Sequence, residues 1–131
     1  MEEALVAFLL ANTGVAALVG PRIHWVRLPQ GLATPHVRLT LISGGLNYHY
    51  SGPDSVQGVR VQVDCFGDTY AAAKGVARAI ETALSGFRGV MGSRFVDGTF
   101  LVGARDLLFE DDTPADGHAV SMDFSLFHKS I

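Results

Sequence analysis

At 131 residues the chain makes one domain, able to bury roughly 65–70% of its unfolded surface in a self-supporting core. An apolar content of 48% against 18% charged residues excludes a disordered polypeptide, and a net charge of -3 argues against a dedicated nucleic-acid binder, whose footprint is a basic patch. The single cysteine, Cys65, excludes an internal disulfide and suits a reducing compartment.

The opening stretch, MEEALVAFLLANTGVAALVG, is apolar but starts on two glutamates and carries no Lys or Arg before Arg22. A signal peptide wants a positive start, and its apolar core would not be cut by Asn12, Thr13 and Gly14. The uninterrupted run Ala4–Ala11 falls far short of the ~20 residues of a membrane span, so the expectation is a soluble cytoplasmic protein. Leu5, Phe8 and Leu9 follow helical spacing. Asn12 or Thr13 can cap a second short helix through Leu18, ended by Gly20 and Pro21. RIHWVRLP reads as a strand stopped by Pro29.

Val37, Leu39 and Leu41 then alternate with Arg38, Thr40 and Ile42, predicting a strand with one buried face. The next strand places Val59, Val61, Val63 and Cys65 on one face, with Arg60, Gln62, Asp64 and Phe66 on the other. Between these strands lies SGGLNYHYSGPDSVQG, too long for a tight hairpin.

The period changes at Gly67. Asp68 is the expected N-cap of a helix whose apolar stripe is Ala73, Val76, Ala77, Ile80 and Leu84. Beside the stripe runs a ridge of small residues, Ala71, Gly75 and Ala79. It either admits a second helix closely or reflects alanine's helix propensity alone. A short strand near Gly98 and two further strands, FLVGARDLLFE and HAVSMDFSLFH, complete the chain around the turn DDTPADG. In the last strand Val120, Met122, Phe124 and Leu126 share a face. The expected class is α+β, a mostly antiparallel sheet packed against one long and two short helices, as a single domain over residues 1–131.

Few residues offer chemistry. Cys65 lies three residues before a helix start, the setting of an activated thiol, but its parity with Val59, Val61 and Val63 makes it core filler. His24, His36, His49, His118 and His128 form no metal-binding pair, and the acidic run Glu110, Asp111, Asp112 and Asp116 lacks the spacing of a calcium loop. No phosphate-binding or nucleophile motif is present, so no catalytic residue, cofactor or metal is expected. The long loop is more suggestive. Leu46, Tyr48, His49 and Tyr50 either anchor another protein surface or fold back on the sheet.

The order of these features resembles the tail-completion, or tail-terminator, proteins of long-tailed phages and gene transfer agents. The N-terminal half through VAALVGPRI and LPQG, the run RVQVDCFGDTYAAAKGVARAIETAL, and the closing GHAVSMDFSL carry the likeness, which covers nearly the whole chain. The resemblance implies a structural virion protein, not an enzyme, assembled in the host cytoplasm and placed at the tail or neck. It implies a homo-oligomeric ring, commonly a hexamer, that ends the tail tube and joins it to the head connector. The partners would be the tube protein and a connector or neck protein. DNA would pass through the lumen without specific binding, and no membrane would be involved. The expected contact residues are Leu46, Tyr48, His49, Tyr50, Ala71, Gly75 and Ala79, with the glycine-rich segment 86–98 reaching the tube or connector. The other readings are a different neck or minor tail component of similar fold, and a small enzyme using Cys65 with a histidine.

Overall fold

The computed structural model describes residues 2–27, 34–45, 57–108 and 118–130. In chain order the elements are α1 (Glu2–Ala11), α2 (Thr13–Val19), β1 (Ile23–Trp25), β2 (His36–Gly45), β3 (Gln57–Gly67), α3 (Tyr70–Leu84), β4 (Gly89–Met91), β5 (Arg94–Leu108) and β6 (His118–Ser130). The strands form one six-stranded sheet in the order β1-β2-β3-β6-β5-β4. Every pairing is antiparallel except β1 with β2. The expected α+β class and mostly antiparallel sheet are what the chain adopts.

Local chemistry explains the breaks between elements. Asn12 ends α1 and starts α2, its side chain accepting from the Val15 N–H at 3.0 Å. Gly20 then stops α2 at φ 55°, a conformation that glycine adopts without a Cβ clash. The two short helices meet at 86° and bury Leu5, Leu9, Val15 and Val19, and no single helix is long and apolar enough to cross a membrane. The strand read over RIHWVRLP is shorter than expected. It ends at Trp25, before Val26 turns to φ 60°, while Pro29 lies outside the described residues.

All three helices pack on one face of the sheet. The expected stripe of α3 is buried throughout, against Val61, Val63 and Cys65 of β3 and Val120, Met122, Phe124 and Leu126 of β6. The sheet curls so that both of its margins reach α1. Trp25 of β1 donates through Nε1 to the Glu2 carbonyl at 3.0 Å, and Gly92, beside β4, lies so close to Ala4 that a Cβ there would sit at 3.0 Å.

The entry to α3 departs from expectation by one residue. Thr69 is the N-cap, accepting from the Ala72 N–H at 3.1 Å, because the helix begins at Tyr70. The Asp68 carboxylate instead accepts from the Thr34 hydroxyl.

Three further details differ from the sequence reading. Leu41 is exposed, because the β2–β3 register slips between Leu41 and Ser43 and leaves Leu41 and Ile42 uncovered. Asp64, on the face away from the helices as its parity places it, is nonetheless only 2% exposed. It is held by Arg38 Nη2 at 3.0 Å and Gln62 Nε2 at 3.0 Å, so the buried charge is paired. Finally, the region around Gly98 and FLVGARDLLFE is one continuous strand, β5, bulged at Val96/Gly98 and Leu101/Gly103. Beyond Val96 no described strand pairs with its outer edge, where the bulges, Arg105 and Asp106 guard against edge-to-edge aggregation.

Candidate functional site

The one thiol is placed for packing. Cys65 is fully buried between β2 and β6, and burial, with a smaller push from the Asp64 charge, moves its pKa well above that of a free thiol. A thiol held protonated is a poor nucleophile. Labelling of the native protein by a thiol reagent should therefore be slow and become rapid only on unfolding. Fast labelling at neutral pH would contradict the packed position.

The histidines are dispersed. His36 stacks on Phe66 at 4.8 Å, and His118 meets Tyr70 edge-on at 6.4 Å. Among the described residues no cluster of His, Cys, Asp or Glu could hold a metal ion. His49 and the acidic run 110–116 lie outside the described residues.

His128 is strongly perturbed. It is 2% exposed, faces the core opposite Val96, and accepts at Nδ1 from Arg94 Nε at 3.0 Å. Burial first, then the Arg94 charge, pushes its pKa down to about 4, with Glu2 opposing weakly. Its folded value lies below the unfolded value of about 6.5, so the unfolded chain binds the extra proton as pH falls. Stability from this group is intact above about pH 6.5 and is lost as pH drops toward 4, by roughly 2–3 kcal/mol. Urea midpoints across that range should show the fall, and His128→Gln should flatten it. An unchanged slope in that variant would assign the loss to other groups.

The predicted contact residues divide into two sets. Leu46, Tyr48, His49 and Tyr50 lie outside the described residues, between the ends of β2 and β3. Ala71, Gly75 and Ala79 lie on α3, where Ala71 is exposed while Gly75 and Ala79 are half-buried. A Cβ on Gly75 would meet nothing within 4 Å, so no packing inside the described chain requires glycine there. The glycine-rich segment 86–98 forms β4 and the start of β5 at one sheet margin.

A surface that the sequence reading missed lies on the outer sheet face. Phe100 and Phe127 are 56% and 41% exposed, with ring centroids 6.1 Å apart. Each ring lies over a glycine. A Cβ on Gly98 would reach the Phe100 ring at 3.0 Å, and one on Gly58 the Phe127 ring at 3.2 Å. Phe127 could have been noticed because it is out of phase with Phe124 and Leu126. Phe100 could not, since two bulges scramble the parity of β5.

The family model for tail completion protein gp17 matches residues 3–129. The chain belongs to this family. It is thus a phage-type structural tail protein. A solved chain from the virion of a native gene transfer agent particle matches with a TM-score of 0.76 at 22% identity, covering 99% of this chain and 95% of that one. A second solved chain gives a TM-score of 0.53 at 12% identity, covering 100% of this chain and 97% of that one. At these identities both likenesses speak for the fold. The search of curated proteins gave no match. Family membership agrees with the resemblance read from the sequence.

Proposed function

We propose that this tail completion family member assembles as a homo-oligomeric ring, a hexamer in the simplest case, that ends the tail tube and joins it to the head connector. The family match across residues 3–129 carries the reading. The burial of Cys65 in the core, which keeps the lone thiol from acting as a nucleophile, supports it further. A ring needs two different patches on each subunit, with a rotation that closes. The α3 ridge of Ala71, Gly75 and Ala79 and the loop residues Leu46, Tyr48, His49 and Tyr50 are proposed to contribute to contacts with neighbouring subunits, the tube protein or the connector. DNA passes through the lumen without sequence-specific contacts, assembly takes place in the host cytoplasm, and no catalysis is involved.

Electron cryomicroscopy of purified particles tests this reading. The expected result is a ring of this chain at the head-proximal end of the tail. Its presence only elsewhere in the particle would overturn the assignment. For the loop, Tyr48→Ala with Tyr50→Ala should lower assembly while leaving the melting temperature nearly unchanged. A large fall in Tm would make these rings core residues.

A further inference from the structure

The outer sheet face and the exposed surface of α1 and α2 are on opposite sides of the sheet and carry different charged groups. On the sheet side, Phe100 and Phe127 expose apolar surface. Arg60 is exposed in the same row of the sheet, since both it and Phe100 stand opposite Ser125 of β6. Two more cations, Arg88 and Lys129, lie over the ring of Phe95 at 5.7 and 5.6 Å. The nearby acid Asp97 is already engaged by Lys129 at 3.8 Å.

The surface of α1 and α2 differs. Residues 2–19 include Glu2 and Glu3 and no Lys or Arg, and Arg22, which follows α2, is turned onto the carbonyls of Pro35 at 2.8 Å and Leu18 at 3.4 Å. Glu3 is exposed, and so are Leu10 of α1 and Leu18 of α2, at 37% and 41%. Each molecule thus offers an apolar surface beside the exposed cation Arg60 on one side and, on the other, exposed leucines on helices that carry the carboxylate of Glu3.

That arrangement discriminates between ways of self-association. A symmetric contact through the sheet patch would set the Arg60 side chains of two copies against each other, and like charges in a contact are unfavourable. A head-to-tail contact sets cation against carboxylate and covers exposed apolar groups on both sides. We infer that the Phe100–Phe127 patch of one copy receives the exposed face of α1 and α2 of the next copy, with Arg60 facing Glu3. Because the two patches are distinct, each copy engages two neighbours at once, and a closing rotation between successive copies makes the chain of contacts a ring. This contact rests on the ring reading above and adds to it the surfaces that meet.

The test is complementation. Particles are produced without the gene, and the wild-type chain, Phe100→Ser, Arg60→Glu, Glu3→Lys or the double variant Arg60→Glu/Glu3→Lys is supplied in trans. Joined particles are counted by electron microscopy, and the Tm of each purified variant is recorded. Each single variant should lower the count by at least about tenfold, the effect of losing one strong contact residue. All should keep a Tm close to wild type, because the altered side chains are exposed. The double variant restores the opposite-charge pair with reversed sign and should recover most of the loss. Wild-type counts from Arg60→Glu and Glu3→Lys, or a double variant no better than either, would overturn the contact. If the deletion is defective while both single variants rescue it fully, only this contact fails. If particles join normally without the gene, the ring reading fails and takes the contact with it.

Discussion

Phe124→Ala is expected to lower the unfolding free energy by about 3–5 kcal/mol, read from urea denaturation at neutral pH. Phe124 is completely buried in the middle of β6, opposite Val61 of β3 on one side and Leu101 of β5 on the other. Removing the ring withdraws apolar contacts from both neighbouring strands and from the helix layer. The surrounding elements are pinned by the sheet ladder and can close the cavity only in part. Three residues along the same strand, Phe127 points to the opposite face and is 41% exposed. Phe127→Ala should therefore cost less, about 1–2 kcal/mol, because a large part of its ring stays in water on folding and no closed cavity is left. Equal losses at the two positions would mean that the outer sheet face is covered within the folded chain.

Gly67→Ala should cost about 1–3 kcal/mol, a large effect for one added methyl group. The cause is space. A Cβ at this position would stand 2.6 Å from the Ala73 backbone nitrogen and 2.9 Å from the Ala72 Cβ. Those atoms belong to the first turn of α3, so relief requires the helix to move off the end of β3, where Cys65 and Val63 are packed. Gly75→Ala is the matching control. Nothing lies within 4 Å of that Cβ, and replacing a mid-helix glycine should raise stability by roughly 0.5–1 kcal/mol. Should Gly75→Ala stabilise the chain yet impair particle assembly, the small-residue ridge would be marked as a contact surface. If Gly67→Ala is neutral, the close strand-to-helix joint described above is wrong.

The contrast between these glycines shows what is legible in the sequence. A change of period at Gly67 announces the strand-to-helix switch, and the spacing of Ala73, Val76, Ala77, Ile80 and Leu84 names the buried stripe correctly. The parity of Val61, Val63 and Cys65 likewise places the thiol in the core. These features depend on residues near one another in the chain. What depends on distant partners could not be read. The parity of Asp64 puts it on the face away from the core, and its burial there depends on Arg38, brought alongside by the β2–β3 pairing, together with Gln62. Nothing local announces that β3 and β6 are neighbours, although their pairing builds the centre of the sheet. β5 reads in the sequence as separate pieces because bulges at Val96/Gly98 and Leu101/Gly103 interrupt its alternation.

The contact surfaces were legible to a lesser degree. A small-residue ridge and an aromatic loop can be picked out from residue type alone, yet their partners are not encoded in local spacing. The Phe100–Phe127 patch was hidden for a physical reason. Its two rings come from strands paired through a bulge, and each covers a glycine that looks in the sequence like a turn signal. Phe8, by contrast, was readable as part of the first helix and packs on Phe87 at 4.6 Å.

Electron micrographs of particles assembled without this chain test the central claim most directly. Tails that are over-long, or complete but unattached to heads, are the predicted outcome. Filled heads carrying tails of normal length, joined at the usual frequency, would contradict it.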